Sequence, residues 1–173
     1  MAYQDDIKKA AALLLPWNKL SGCNILVTGA TGLIGGCLVD VLMAHKGRNY
    51  NVYASGRNEE RAGRRFLKYA DDNSFHFVKY DVAHPLEYDV NFQYIIHAAS
   101  GAYPEEFIKH PVEVIKGNIN GVDNLMGYGI QHGIKRLLYI SSGEVYGEGD
   151  GRVFTENYSG YVDCTSLRSC YPS

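Results

Sequence analysis

The sequence predicts an α/β fold, a doubly wound parallel sheet with helices on both faces. Three observations predict it. Five short apolar runs recur along the 173 residues, and stretches of helical apolar spacing separate them. The first run passes through a glycine-rich turn directly into a helical stretch. No internal repeat or low-complexity segment breaks the alternation. Strands alternating with helices argue a parallel sheet with right-handed crossovers.

Residues 5–15 read as a helix, with Lys8 and Lys9 solvated and Ala11, Leu14 and Leu15 docking on the body; Trp17 reads as its anchor. Residues 24–36 follow as N-I-L-V-T-G-A-T-G-L-I-G-G. Ile25, Leu26 and Val27 form an apolar run of the kind found in a strand buried on both faces. Leu33, Ile34, Leu38, Val39, Leu42 and Met43 put one apolar stripe on a helix that ends at His45-Lys46-Gly47. Residues 51–55 are the second strand, followed by Gly56-Arg57-Asn58 and a charged helix over 59–69. Residues 75–79 are the third strand, with Asp81-Val82 beyond its end. Residues 94–97 are a short buried fourth strand ahead of Ala98-Ala99-Ser100-Gly101, with His97 read as a structural histidine. Residues 111–132 are a long helix closed by Gly133, and 136–142 the fifth strand. Residues 143–169, glycine-rich and polar, read as an active-site loop.

Gly29, Gly32 and Gly35 stand between a strand and an amphipathic helix, the context in which a glycine triplet binds a dinucleotide. Gly29 permits the tight turn, Gly32 lets a pyrophosphate approach the backbone, and Gly35 lets the helix pack close to the sheet. The unpaired N–H groups of the first helical turn, which starts at Leu33 and Ile34, face the phosphates. Thr31 belongs to the same turn. This is the Rossmann type of the doubly wound sheet, and the implied cofactor is NAD or NADP. NAD-binding sheets usually carry an acid at the end of strand two that accepts from the ribose. Ser55-Gly56-Arg57-Asn58 has none. Either Arg57 pairs with a 2′-phosphate, or Arg57 is solvated and Asn58 bonds the ribose.

Composition removes several function classes. Net charge is −2 with no basic stripe, which argues against nucleic acid as a partner. No apolar run approaches the length of a membrane span, and the N-terminus lacks the basic region of a signal peptide. Cys23, Cys37, Cys164 and Cys170 show no metal-type spacing and read as reduced thiols of a cytoplasmic protein with no metal.

The motifs T-G-A-T-G-L-I-G, D-V, H-A-A-S, N-I-N-G, Y-I-S-S-G-E-V-Y-G and S-C-Y occur in that order over nearly the whole chain. The sequence thereby resembles the extended short-chain dehydrogenase/reductases, the NAD-dependent epimerase/dehydratase family, nearest the UDP-glucuronate decarboxylase and nucleotide-sugar dehydratase branch. The resemblance implies that Gly29, Gly32, Leu33, Ile34 and Gly35 hold the pyrophosphate, and that Asp81 and Val82 flank the adenine. It implies that Ala98, Ala99, Ser100 and Asn118 line the cofactor cleft and that Ser141 and Ser142 end strand five beside the nicotinamide. Tyr171 takes the place of the catalytic tyrosine, which removes a proton from a sugar hydroxyl while hydride passes to the nicotinamide. Asp81, Asn118 and Glu144 keep second readings as a helix cap, a packing amide and a loop carboxylate.

The dehydratase branch carries Thr-Asp-Glu where this chain has Ser142-Gly143-Glu144, so decarboxylation or epimerisation is expected over dehydration. Arg168-Ser169-Cys170-Tyr171 is similar to the decarboxylase branch. The family's lysine would fall at position 175. Residues 1–173 are therefore expected to be the dinucleotide-binding part of a longer enzyme, inactive by themselves, with a nucleotide-sugar substrate and a homodimeric assembly. An NADP-dependent carbonyl reductase and a non-catalytic dinucleotide sensor are the competing expectations.

Overall fold

Strand β1 (Asn24–Thr28) is apolar through its centre and needs cover on both faces. The computed structural model, which describes residues 3–101 and 104–171, puts it in the middle of a five-stranded parallel sheet. The order is β3-β2-β1-β4-β5, with β2 at Asn51–Gly56, β3 at Phe75–Lys79, β4 at Tyr94–His97 and β5 at Arg136–Tyr139. Ile25 lies opposite both Val52 and Tyr94, and Tyr94 opposite Arg136.

The alternation of side chains along a strand builds the core. Ile25 and Val27 share one cluster with Val39, Leu42 and Met43 of α2 (Leu33–Ala44) and with Ala62 and Phe66 of α3 (Glu59–Phe66). Leu26 joins the other, with Phe92, Ile95 and the Leu125 and Tyr128 side chains of α5 (Pro111–Gln131). Helices thus cover both faces, as the strand–helix alternation predicts.

Helix α1 (Tyr3–Ala11) packs on α2 through Ile7 and Ala11. It is shorter than expected: Leu14 and Leu15 are exposed rather than docked. Pro16 disfavours helix at the residue before it, and the chain instead turns tightly, with Leu15 N–H donating to Leu13 O and Trp17 N–H to Leu15 O. Trp17 does anchor the segment, stacked on His45 at 4.1 Å. The predicted stripe on α2 also needs correcting, because Leu33 and Ile34 are exposed and the buried face is Gly35, Gly36, Val39, Asp40, Leu42 and Met43. Strand β5 stops at Tyr139, since β4 ends at His97; Ile140 still donates to His97 O, and Ser141 and Ser142 lie beyond the ladder. Unpredicted is α4 (Pro104–Lys109), whose Phe107 forms a small cluster with Val114 and Cys170.

Asp40 of α2 is fully buried. It accepts from Tyr3 Oη at 2.6 Å, Arg65 Nη2 at 2.6 Å and Tyr69 Oη at 2.8 Å, with Lys68 Nζ at 2.9 Å. Its partners tie α1, α2 and the α3 region together. All four cysteines are free, and no described helix is long and apolar enough to cross a membrane. No group of three metal-ligating side chains occurs among the described residues.

Candidate active site at the sheet's switch point

In a doubly wound sheet the ligand crevice lies outside the carboxyl ends of the strands where their order reverses. Here those strands are β1 and β4, and the two ends touch. Gly29 follows β1 with φ +64°, and a Cβ there would lie 2.5 Å from Ala98 O and 2.7 Å from Ala99 Cα, just past β4. Only glycine fits that approach. Gly32 N–H closes the turn on Gly29 O at 2.9 Å, and Gly36 N–H on Gly32 O starts the helix. A Cβ at Gly35 would overlap the Gly29 carbonyl, so the helix is pressed against the turn.

Gly32 differs. It is exposed, and a Cβ there would meet only Gly29 O, at 3.1 Å, with open space beyond. It is the N-cap of α2 and supplies no side-chain acceptor, so the first-turn N–H groups are left for an external anion. Leu33 and Ile34 flank this opening. The Ser55 hydroxyl, buried at the end of β2, has no hydrogen-bond partner among the described residues. The cradle is shaped for a pyrophosphate, and the residues present fit a dinucleotide.

The remaining predicted residues group around this turn. The Ser100 hydroxyl donates to Asn118 Oδ1 at 2.9 Å, tying the segment after β4 to α5. Helix α5 comes closest at Gly121, where a Cβ would meet His97 Nε2 at 3.0 Å and Val82 Cγ2 at 3.3 Å. His97 is structural, as expected: Nδ1 shares a 2.7 Å hydrogen bond with Thr28 Oγ1. Burial pushes its pKa down to about 4 and keeps the ring neutral. At the β2–β3 corner Arg57 and Asp81 face each other at 3.9 Å. Asp81 also accepts from Ala83 N–H, and Asn58 Oδ1 caps α3 through Arg61 N–H at 2.8 Å. Asp81 thus closes a turn rather than capping a helix, since none follows it before β4, and Asn58 is the N-cap of α3, a role the sequence reading did not foresee. Thr31 stands behind Gly56, its hydroxyl and methyl 3.5 Å from where a Cβ would be.

Past β5, Ser142 Oγ accepts from Glu144 N–H at 3.2 Å, which leaves the hydroxyl proton to donate elsewhere. The loop folds back on itself through Glu148 N–H to Tyr161 O and Gly160 N–H to Tyr146 O. Glu144, Glu148, Tyr161, Asp163 and Ser169 line a cavity of about 330 Å³ inside it. Tyr171 follows the 3₁₀ turn Leu167–Cys170 and stacks on Phe107 at 4.7 Å. Its neighbour across the site is Tyr139, whose phenol burial raises, with Tyr171 adding to the rise. Phe107, which seats Tyr171, escaped the sequence reading because a six-residue helix shows too little period to recognise. The Arg168 side chain lies outside the described residues.

Comparison with known proteins gives one family. A sequence model described as "NAD dependent epimerase/dehydratase family" matches residues 25–172. UDP-glucuronic acid decarboxylase 6 of Arabidopsis thaliana is 35% identical over 154 residues, covering 87% of this chain and 43% of its own. UDP-glucuronic acid decarboxylase 1 of Danio rerio is 32% identical over 149 residues, covering 85% and 34%. The chain therefore spans less than half the length of these relatives. A dTDP-glucose 4,6-dehydratase from Streptomyces venezuelae, solved with NAD bound, superposes with TM-score 0.69 at 21% identity over 86% of this chain and 48% of its own. The UDP-Glc/GlcNAc 4-epimerase of Campylobacter jejuni does so with TM-score 0.68 at 20% identity, over 87% and 46%. With a glycine turn seated on the end of β4 and a family match over all but the first 24 and the last residue, the chain belongs to the NAD-dependent epimerase/dehydratase family.

Proposed function

We propose that the chain is the dinucleotide-binding part of an enzyme that modifies a nucleotide sugar in the cytoplasm, by decarboxylation or epimerisation. The observation that carries this is the Gly29–Gly32–Gly35 turn, closed on Ala98 and Ala99 at the switch point and open only over Gly32. A nicotinamide dinucleotide held by the Gly29–Gly35 turn would supply reversible hydride transfer with a sugar carbon.

The chain's own residues handle the rest. The turn and the start of α2 hold the pyrophosphate, and Asp81, Val82, Ala98, Ala99, Ser100, Asn118 and Ser141 line the cleft. Tyr171, fixed by Phe107, takes the proton from the reacting hydroxyl, and Ser142 donates to the same oxygen. Glu144, on the wall of the cavity it shares with Glu148 and Asp163, is assigned the carboxylate's part in the reaction. The runner-up, a carbonyl reductase that releases NADP at each turnover, is favoured only by Arg57.

The test is calorimetric titration with NAD and NADP, followed by turnover of UDP-glucuronate and UDP-hexoses by the gene's whole product. One nucleotide binds in the micromolar range, and Tyr171→Phe cuts turnover at least a hundredfold while its dissociation constant stays within about threefold. Undiminished turnover in Tyr171→Phe would remove the tyrosine's role, and free NADPH consumed stoichiometrically would favour the reductase. A homodimer through the outer face of α5 completes the reading.

A further inference from the structure

We propose that the chain carries a second small-molecule site, at the amino end of the sheet, for an apolar molecule bearing one anionic group. It lies at the opposite end of β4 from the glycine turn, since Tyr94 opens that strand and His97 closes it. Between the turn after α1 and the first residues of β4 and β5 lies a cavity of about 370 Å³. That volume is in the range of small-molecule sites. Leu15, Pro16, Trp17, Leu20 and Tyr94 form its walls, and Lys19 and Arg136, both exposed, complete the lining.

The walls are apolar because their polar atoms are spent. Trp17 Nε1 donates to Leu13 O at 2.9 Å, and Tyr94 Oη donates to Lys19 O at 3.2 Å. The indole is fixed on one face by His45 at 4.1 Å, which makes it a preformed wall. Charge then decides what the cavity takes. Residues 12–24, 91–97 and 133–141 supply the whole lining and contain no Asp or Glu. Their cations are Lys19, Lys135 and Arg136, and none of the three forms an ion pair among the described residues. Lys135 Nζ lies over the Tyr94 ring at 5.9 Å, so positive charge also stands beside the aromatic wall. A molecule with an apolar body and a carboxylate or phosphate satisfies both halves: the walls take the body out of water, and the Arg136 fork and Lys19 take the anion. A neutral molecule leaves the cations unused.

Titration calorimetry of the gene's whole product tests this with 2-naphthoate, 2-naphthyl phosphate and the uncharged isostere 2-naphthamide, each with and without excess NAD. At least one anion binds at least tenfold tighter than the amide, the tighter of the two identifies the headgroup, and NAD does not displace it. Arg136→Gln combined with Lys19→Gln weakens the anion at least tenfold and the amide less than threefold. Leu15 is exposed, so Leu15→Glu keeps the denaturation midpoint, sets a carboxylate on the lining and weakens the anion by a similar factor. An amide bound as tightly as the anions, or anion binding untouched by these substitutions, overturns the site. Displacement by NAD overturns it too, since the probe then sits in the glycine cradle. Absence of binding overturns it as well, since another part of the whole product then fills the cavity. None of these outcomes touches the dinucleotide reading.

Discussion

Two buried titratable residues set how this molecule responds to acid, and each acts in its own pH window. His97 is fully buried with one ring nitrogen on Thr28, and burial holds its pKa near 4. The unfolded chain protonates that ring near 6.5 and the folded one does not, so the unfolded state gains protons first as pH falls. His97 therefore contributes stability that is full above about pH 6.5 and is lost between there and pH 4, roughly 3 kcal/mol in all. Asp40 works lower down. Burial raises its pKa, but Arg65, Tyr3, Lys68 and Tyr69 together outweigh that and leave it at about 2. Its contribution, about 2 kcal/mol, is complete above roughly pH 4 and disappears as pH drops towards 2. Urea midpoints measured from pH 7.5 to 3 should fall in two stages, and His97→Asn should flatten the upper stage while leaving the lower. A wild-type midpoint level between pH 6.5 and 4.5 would contradict the neutral, buried imidazole. The two residues also differ in how they could be read. His97 ends an apolar run, which marks it as buried. Asp40 is a single acid in an apolar helix, and its partners at positions 3, 65, 68 and 69 meet it only through tertiary packing.

Within the glycine turn the three positions are not equivalent, and that separates folding from binding. Gly35 faces the Gly29 carbonyl, a backbone atom that cannot swing aside. Gly35→Ala should force α2 off the turn and destabilise the chain by about 1–3 kcal/mol, the usual cost of overpacking. A Cβ at Gly32 would meet that carbonyl at 3.1 Å rather than 2.4 Å and nothing else within 4 Å, so Gly32→Ala should lower the denaturation midpoint less than Gly35→Ala while dinucleotide binding weakens at least tenfold. A Gly32→Ala variant that binds like wild type would show that the phosphates do not approach there. The turn was legible because the strand, the triplet and the helix each constrain the others. The neighbouring elements show where such reading fails. Leu13, Leu14 and Leu15 continue a helical pattern, yet Pro16 denies the helix at its doorstep, and hydrophobicity alone does not register that. Leu33 and Ile34 fit an apolar stripe, yet they lie on the first turn beside the mouth of the site, where exposure follows from their position. Ser141 and Ser142 continue an extended run, but a strand needs a partner, and β4 ends at His97.

At the scale of the whole molecule, sheet order fixes the site, and the surface left uncovered points to assembly. Reversal of order between β1 and β4 brings residues 29, 98 and 99 together, which no local pattern specifies. Helix α5 turns Val114, Gly121, Leu125 and Tyr128 inward. Its outer side carries Val112, Ile119 and Met126 at intervals of seven, with Ile130 four residues on, all of them exposed. A seven-residue apolar repeat on a 21-residue helix is the spacing of a helix–helix seam. A two-fold partner placing its own α5 there would bury the same stripe from both sides, the self-complementary contact that most homodimers use. Light scattering at 50 μM should then give twice the 19.2 kDa chain mass, and a double variant, Ile119→Glu with Ile130→Glu, should give the single mass. The double variant touches neither the glycine turn nor the Arg57 corner, so its dinucleotide dissociation constant should stay within about threefold of wild type. A wild-type chain that stays monomeric at that concentration would exclude the α5 seam. Loss of nucleotide binding together with dimerisation would instead mean that α5, which carries Asn118 and presses Gly121 on His97, needs its partner to hold the cleft in shape.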